Sequence, residues 1–374
     1  MRLMYIQNMR LPTEKAHGYQ IMKTCEALAL QGTDLRLVVT DRKTPITQEP
    51  FGYYGIKPSF GVIKIPVWDF IGSAPKTFSS LAFAIERLSF YRNLKNNLLK
   101  DADAYYTRDP WLAPKLKKLI GKRIFLEMHA MPNEQTMSKL KSLDGVLCVT
   151  KWMQHETERF LPGMRTAFVP DAVDLDVYDP PESREQARQA LGLSAEEKIV
   201  LYGGRFSTME QGKGLILLDE AVAEIARLDP RAKLILVGGT AAEFQRIEGR
   251  KTSESTICIN AVPRRSLAMY YRAADVLAMP FPNTRHYAYE MSPLKLFEYM
   301  ASGTPIVTSD LPSVREILDQ TSAVFYLPES LPALIEALRR AMDDDGRLAK
   351  HAKGMVGQFT WQERGRRILE CIKK

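Results

Sequence analysis

The sequence predicts an α/β fold with two doubly wound domains, each a mainly parallel sheet covered by helices on both faces. Short apolar runs bounded by turn residues alternate with longer stretches of helical periodicity. Residues 169–181 are rich in proline and aspartate, so they cannot form a continuous helix and indicate a connector. With 374 residues, 45% of them hydrophobic, the chain can fill two cores. We therefore expect one domain over residues 1–170 and a second over residues 171–356.

The apolar runs before the connector predict the strands of the first domain. They are Leu3 to Gln7, Leu35 to Thr40, Val62 to Ile65, Ala104 to Thr107, Ile124 to Met128, Val146 to Thr150 and Ala167 to Val169. Residues 18–31 carry apolar side chains at helical spacing and are followed by Gly32, a helix stop signal, so they predict the first helix.

The apolar runs after the connector predict a second sheet. They are Ile199 to Tyr202, Lys233 to Val237, Thr256 to Ile259, Val276 to Met279, Ile306 to Thr308 and Ala323 to Tyr326. In open parallel sheets ligands bind beyond the carboxyl ends of the strands. Two such domains facing each other would enclose a cleft between those ends.

Several classes of protein are disfavoured by composition. No stretch approaches the roughly 20 apolar residues of a membrane-spanning helix, and the residues from Met1 to Ile6 predict a strand rather than a signal peptide. We therefore expect a cytoplasmic protein. The four cysteines are scattered, which indicates reduced thiols and neither a zinc site nor a disulfide framework.

The net charge of +8 favours partners that carry phosphate. No basic run or RNA-binding signature occurs, so we expect no nucleic acid partner. A local basic excess comprises Lys76, Arg87, Arg92, Lys95, Lys100, Lys115, Lys117 and Lys118, and its first part is interleaved with Phe70, Phe78, Phe83, Phe90 and Tyr91. This mixture is typical of a helix on an anionic membrane surface. The alternative is a helix packed on its own domain with a solvated basic face.

Two glutamates, Glu290 and Glu298, bracket the segment that leads into a predicted helix. Glu290 would lie before that helix and Glu298 about a turn inside it, so both carboxylates can point into one cleft. A carboxylate accepts several hydrogen bonds, which suits the paired hydroxyls of a ribose or sugar ring. The alternative is an acidic helix start stabilised by the helix dipole.

A glycine-rich loop follows one strand of the second domain. It contains Gly203, Gly204 and Arg205, and then Lys213 and Gly214 lead into the next helix. Two cations beside amides at a helix N-terminus are suited to a diphosphate. The loop is neither a Walker A sequence nor a Gly-x-Gly-x-x-Gly fingerprint. The alternative is that the glycines only form turns.

Two histidines are candidates for contacts on the acceptor side. His17 precedes the first predicted helix, which begins at Gly18, and His129 closes a strand, where an imidazole could bond a hydroxyl or move a proton. Structural roles remain open for both histidines. His155, His286 and His351 lack metal-ligand spacing, and Asp174 and Asp176 form an Asp-x-Asp pattern only within the connector. We expect no metal and no cofactor, so Arg205, Lys213 and helix amides would meet the charge of a leaving group.

These motifs, in this order, resemble the family-4 retaining glycosyltransferases, which have the GT-B fold and a nucleoside diphosphate sugar as donor. The resemblance covers nearly the whole chain. It is strongest in the glycine-rich loop, the segment from Glu290 to Glu298 and residues 301–307, and it continues in residues 169–174. Residues 359–361 look like the family's return to the first domain, which implies that the helix over residues 357–374 packs there.

The resemblance implies roles for individual residues. Arg205 and Lys213 would hold the diphosphate, Glu298 the ribose diol and Glu290 the donor sugar. His129 matches the acceptor-side histidine, with His17 beside Gly18 at the loop near the donor phosphate. The donor side would be completed by Gly204, by Val262 near the base, and by Ser292, Pro293 and Leu294.

One departure concerns the Gly-Phe-Gly that the family usually has after the first glutamate. Here the sequence is Met291, Ser292, Pro293, and the proline removes one N–H. Lys295 can add a positive charge instead.

The expected activity is transfer of a UDP- or GDP-linked sugar to a glycan, lipid-linked or small-molecule acceptor. This fits cell-envelope polysaccharide or glycoconjugate synthesis, with peripheral membrane binding. A nucleotide-sugar 2-epimerase of the same fold and a non-catalytic scaffold remain alternatives. A nicotinamide oxidoreductase is disfavoured because the dinucleotide fingerprint is missing.

Overall fold

The computed structural model describes residues 1–71, 76–97, 102–208 and 211–374. This described part divides into two compact units, Met1–Pro170 with Trp361–Lys374, and Asp171–Thr360. Residues 357–360, which the sequence places with the first domain, belong to the second unit. The reason is that the Val173 N–H donates to the Phe359 carbonyl oxygen at 2.9 Å and the Phe359 ring packs on Phe297.

The first unit is built around a parallel sheet in the order β3-β2-β1-β4-β5-β6-β7, which is a doubly wound arrangement. Its strands are β1 (Arg2–Ile6), β2 (Asp34–Thr40), β3 (Gly61–Ile65), β4 (Ala104–Thr107), β5 (Arg123–Met128), β6 (Gly145–Cys148) and β7 (Thr166–Phe168). Its helices are α1 (Ala16–Leu30), α2 (Pro50–Tyr54), α3 (Ser79–Asn97), α4 (Ala113–Ile120), α5 (Glu134–Leu140), α6 (Lys151–Phe160) and, at the C-terminus, α16 (Trp361–Lys373), with a 3-10 turn at Lys76–Phe78.

The second unit has a parallel sheet in the order β12-β11-β8-β13-β14-β15, with a hairpin of β9 and β10 beside it. Its strands are β8 (Lys198–Gly203), β9 (Ser207–Thr208), β10 (Gln211–Gly212), β11 (Ala232–Val237), β12 (Thr256–Ile259), β13 (Val276–Met279), β14 (Ile306–Ser309) and β15 (Val324–Tyr326). Its helices are α7 (Leu175–Tyr178), α8 (Arg184–Leu191), α9 (Leu215–Leu228), α10 (Ala241–Glu248), α11 (Arg264–Ala273), α12 (Leu294–Ser302), α13 (Pro312–Arg315), α14 (Leu331–Met342) and α15 (Arg347–Met355), with a π-helix at His286–Glu290 and a 3-10 turn at Val356–Phe359.

The strands predicted from apolar runs are all present, with bounds that differ by no more than about two residues. The sequence does not predict the hairpin of β9 and β10, because each strand has only 2 residues and no apolar pattern. The first helix begins at Ala16, not at Gly18, so His17 lies in its first turn rather than in the preceding loop.

The C-terminal helix α16 is an integral part of the first unit. Gly365 lets it approach α1 closely, since a Cβ there would lie 2.6 Å from the Gln31 side chain. The Trp361 ring packs edge-on against Tyr19, with ring centroids 5.9 Å apart. Within the described ranges no helix combines the length and the apolar character needed to cross a bilayer.

Candidate functional site

In the second unit, glycines line the carboxyl ends of the two neighbouring strands β8 and β11. Gly204 and Gly238 both have positive φ, at 122° and 123°. A Cβ on Gly238 would lie 2.7 Å from the Gly204 carbonyl oxygen, and one on Gly203 would lie 2.4 Å from the Tyr271 ring. The glycines therefore have a structural role, and they also keep this edge of the sheet clear of side chains.

Lys213 is held near this edge by the glycine that follows it. Gly214 is the N-cap of α9 with φ 77°, and a Cβ there would lie only 1.8 Å from the Pro280 carbonyl oxygen just after β13. Burial, and then the positive charge of Arg205, lower the pKa of Lys213 to about 8. Arg205 itself is exposed. The two predicted cations thus lie close enough to interact electrostatically.

Lys295, in the first turn of α12, adds a third cation. Its Nζ lies 3.4 Å from the centroid of the Tyr202 ring, and a Cβ on Gly204 would be 3.2 Å from the same Nζ. Burial and Lys213 hold the pKa of Lys295 well below its usual value, while Glu298 acts in the opposite direction. The sequence indicates only that Lys295 can add a positive charge near Pro293. That its Nζ lies close to Gly204 depends on the fold.

The Glu298 carboxylate lies one turn further along α12 and is 8% exposed. It accepts hydrogen bonds from the hydroxyls of Tyr271, at 3.3 Å, and Tyr178. Burial raises its pKa, and the two tyrosines, Arg264 and Lys295 oppose that rise. Both tyrosines lie far from Glu298 in sequence, so no local motif indicates them.

Glu290 ends the π-helix His286–Glu290 and is also 8% exposed. The Arg285 Nε lies 3.2 Å from its Oε1. Burial lowers the pKa of His286, with Glu290 opposing and Lys213 reinforcing the change. His286 is therefore within electrostatic range of both Glu290 and Lys213.

The residues between the two glutamates have backbone roles. The Ser292 hydroxyl accepts from the Asp171 N–H at 2.9 Å, which ties this loop to the connector. Pro293 is the N-cap of α12, and Leu294 is the first helical residue. A helix leaves its first N–H groups without intrahelical partners, so Pro293 removes one donor while those of the following turn remain. Val262 follows β12, and the carbonyl oxygen of Ile259, the last residue of β12, accepts from the N–H groups of Gly238 and Gly239 at 2.8 and 3.3 Å.

In the first unit, His129 belongs to a buried polar network around Glu127. The His129 Nε2 lies 2.5 Å from Glu127 Oε1. The Tyr106 hydroxyl donates to Glu127 Oε2 at 2.5 Å, Gln20 donates to Oε1 at 2.9 Å, and Arg364 forms a 2.6 Å ion pair with the same carboxylate. The period-2 pattern of β5 gives no sign of Glu127, because a fully buried charged residue is atypical of a strand interior.

The network fixes the protonation of both partners. Burial raises the pKa of Glu127, but Arg364, His129 and Arg108 outweigh it, so the net pKa lies well below the usual range. Burial and Arg108 lower the pKa of His129 to about 4, although Glu127 opposes this. A neutral imidazole beside an ionised carboxylate must donate from Nε2. Nδ1 is then the acceptor.

The other two predicted residues of this unit lie at the start of α1. Burial and then Arg108 lower the pKa of His17 to about 4, so His17 and His129 share a neighbour. Gly18 has a packing role, since a Cβ there would lie 2.3 Å from the Tyr54 hydroxyl, which itself bonds the backbone of Thr13.

The predicted residues thus form two sets. Arg205, Lys213 and Glu298 lie near the glycine-rich edge of the second unit, where Glu290 and Lys213 both act on His286. In the first unit, His17 and His129 both lie within electrostatic range of Arg108. Across the described ranges, no three His, Cys, Asp or Glu side chains lie together as a metal site would require.

Comparison with known proteins finds a family match within the second unit. Residues 183–355 match the family described as "Glycosyl transferases group 1". The D-inositol 3-phosphate glycosyltransferase of Xylanimonas cellulosilytica is 29% identical over 222 residues, which cover 55% of this chain and 50% of that protein. The chain spans about half the length of the curated relatives it matches.

Solved structures show the fold of the whole chain. Sucrose-phosphate synthase from Thermosynechococcus elongatus has a TM-score of 0.77 at 19% identity, covering 100% of this chain and 98% of that one. Anabaena HepE in complex with UDP and glucose has a TM-score of 0.73 at 14% identity, covering 100% and 99%. The fold is GT-B, and residues 183–355 are similar to the group 1 glycosyltransferases.

Proposed function

We propose that this protein is a retaining glycosyltransferase that uses a nucleoside diphosphate sugar. The observation that carries the proposal is the cluster of Arg205, Lys213 and buried Lys295 at a glycine-only strand edge, next to the buried carboxylate of Glu298. Three cations at the carboxyl end of β8 suit a diphosphate, and a carboxylate one helical turn away suits the ribose diol.

The proposed reaction breaks the bond between the sugar and the diphosphate and forms a new bond on the same face. Arg205, Lys213 and the first amides of α12 stabilise the negative charge that develops on the leaving diphosphate. The departing phosphate accepts the proton of the acceptor hydroxyl, so the step needs neither a protein nucleophile nor a metal. Glu290 bonds hydroxyls of the donor sugar, and the neutral His129 offers Nδ1 to an acceptor hydroxyl.

UDP and GDP are the proposed donor nucleotides. The HepE structure contains UDP, which supports UDP as the first probe. The base is assigned to the turn that contains Val262, after β12, and Gly18 to the phosphate side of the first unit.

The proposed acceptor is a glycan, a lipid-linked sugar or a small molecule, in polysaccharide or glycoconjugate synthesis at the cytoplasmic face of a membrane. The outer side of α3 supports a lipid-linked acceptor, because Leu81, Phe83 and Leu88 are exposed there beside the cations Arg92 and Lys95. The inositol phosphate acceptor named for the Xylanimonas relative supports a small molecule.

Substitution of the two predicted cations tests this proposal. Arg205→Ala and Lys213→Ala should each lower kcat/KM by about 2 to 5 kcal/mol, as expected when a desolvated charge loses its partner. Arg227→Ala is the matched control, because Arg227 is an exposed arginine that pairs with Glu224 on α9 and should change little. Turnover near wild type in both test variants would contradict the assignment.

Omitting the acceptor separates the transferase from a 2-epimerase. A transferase should show only slow donor hydrolysis without acceptor. Full turnover of the donor alone, with inversion at C2, would support the epimerase instead.

A further inference from the structure

The burial of the Lys295 side chain is not explained by the groups around it. Its side chain is 9% exposed, and its Nζ makes no hydrogen bond to any part of the chain that the structure describes. The face of the Tyr202 ring, 3.4 Å away, offers a cation–π contact. Such a contact offsets only part of the free-energy cost of burying an ammonium.

The charged groups that face Lys295 do not supply a hydrogen-bond partner for its Nζ. Lys213, on the loop before α9, has the same sign and repels it. Glu298, on α12 itself, has the opposite sign, but its carboxylate is engaged by Tyr178 and Tyr271. An ammonium in such a position favours either its neutral form or an anion from outside the protein.

The direction in which Lys295 points indicates which anion. Its Nζ would be 3.2 Å from a Cβ on Gly204, the residue immediately before Arg205 in the glycine-rich loop. It therefore faces the same strand edge as Lys213 and Arg205. Pro293, two residues earlier, is the N-cap that lacks an N–H.

We propose that Lys295 is a third cation of the donor site, which bonds a phosphate oxygen of the nucleoside diphosphate and takes up a proton as the ligand binds. This inference rests on the proposed function. It assigns to Lys295 the contact that the missing N–H of Pro293 cannot make. Burial and the charge of Lys213 hold the pKa of Lys295 below its usual value, and an incoming diphosphate opposes both effects by favouring the charged ammonium.

Calorimetric titration of Lys295→Met with UDP and GDP, and with uridine and guanosine, tests the assignment. The variant should bind the diphosphate that wild type selects about 10- to 100-fold more weakly, as for loss of one charged hydrogen bond. Binding of the nucleoside should not change. Lys251→Met is the matched control, since Lys251 is an exposed lysine of the same unit and should leave diphosphate affinity unchanged.

Two further measurements separate a ligand contact from a structural role. Methionine fills a similar volume without a buried charge, so the melting temperature of Lys295→Met should equal or exceed that of wild type. At pH 8, titrations in buffers of different ionisation enthalpy should show more proton uptake by wild type than by the variant.

The two failures are distinguishable. If wild type binds UDP or GDP and Lys295→Met binds it within twofold, or with equal proton uptake, Lys295 is not a phosphate ligand and the proposed function stands. If wild type binds neither diphosphate, the proposed function itself fails and this inference fails with it.

Discussion

At the residue scale, the candidate site depends on glycines where any side chain would meet backbone. Gly214 is the clearest case, because its φ of 77° and the Pro280 carbonyl oxygen both exclude a Cβ. The position of Lys213, one residue earlier, follows from this close approach.

Gly214→Ala should therefore destabilise the second unit and displace Lys213. Gly249→Ala is a matched control, since Gly249 has φ 76° but nothing within 4 Å of its added Cβ. In the control, only the strain of an alanine in the left-handed backbone region should lower the free energy of unfolding, by about 1 to 2 kcal/mol. We expect Gly214→Ala to lower the free energy of urea unfolding by about 1 to 3 kcal/mol more. Equal losses in the two variants would contradict the packing account.

His129 should make stability fall as the pH falls. The unfolded histidine titrates near 6.5 and the folded one near 4, so between these values the unfolded state binds more protons. From pH 7 to pH 5 this removes about 2 kcal/mol of unfolding free energy. His129→Gln should show a loss smaller by that amount, and the exposed control His155→Gln should retain the full loss. An unchanged pH dependence in His129→Gln would show that His129 is protonated in the folded protein.

The sequence predicts those residues of the candidate site that belong to local motifs. It does not predict residues that are far apart in the sequence and become neighbours only in the folded chain. Arg205, Lys213 and Glu298 belong to continuous segments with recognisable spacing. Glu127, Tyr178 and Tyr271 become partners only when helices and strands pack, so their roles cannot be seen in the chain. The sequence shows that Lys295 lies two residues after Pro293, but it does not show that the Lys295 side chain is buried.

At the element scale, the buried side chain of Arg364 connects α16 with the rest of the first unit. Arg364 forms the ion pair with Glu127 and donates to the Val169 carbonyl oxygen at 2.6 Å and the Pro170 carbonyl oxygen at 2.5 Å. The end of the first unit, the C-terminal helix and the strand that carries His129 thus share one side chain.

Arg364→Met should cost about 3 to 5 kcal/mol of stability, because it leaves the Glu127 carboxylate buried without its main counter-charge. Arg366→Met on the same helix is the control. Arg366 pairs with Glu363 and Glu370 near the surface and should cost at most about 1 kcal/mol. Urea unfolding of both variants measures the difference. A loss for Arg364→Met no greater than that for the control would show that the other contacts of α16 are sufficient to hold it.

The strands follow from the sequence because each buried parallel strand is a short apolar run between turn residues. The start of α1 does not, because Lys15 provides no side-chain cap and no signal separates loop from first turn. The hairpin of β9 and β10 likewise has no apolar pattern from which it could be predicted.

At the scale of the whole molecule, the basic and aromatic segment is only partly accounted for by packing. Phe90 lies in the core, while Arg87 and Lys115 stack on Trp111 and Lys117 pairs with Asp144. Lys100 lies outside the described residues. The exposed apolar residues Phe78 and Leu81, each 58% exposed, have no such internal explanation.

Anionic liposomes should therefore retain the protein at low salt and release it as salt rises. Replacing both Phe78 and Leu81 by serine should lower the sedimented fraction. Leu228→Ser is the control, because Leu228 is 78% exposed on the second unit and should have no effect. An absence of wild-type binding at low salt would remove the support for a lipid-linked acceptor.

Calorimetric titration with UDP, GDP, ADP and CMP, in the presence of EDTA, tests the central claim most directly. The account predicts that wild type binds one nucleoside diphosphate selectively without metal, and that Glu298→Ala weakens this binding because the ribose diol loses its acceptor. No binding of any of these nucleotides, or equal binding by Glu298→Ala, would contradict the assignment of the donor site.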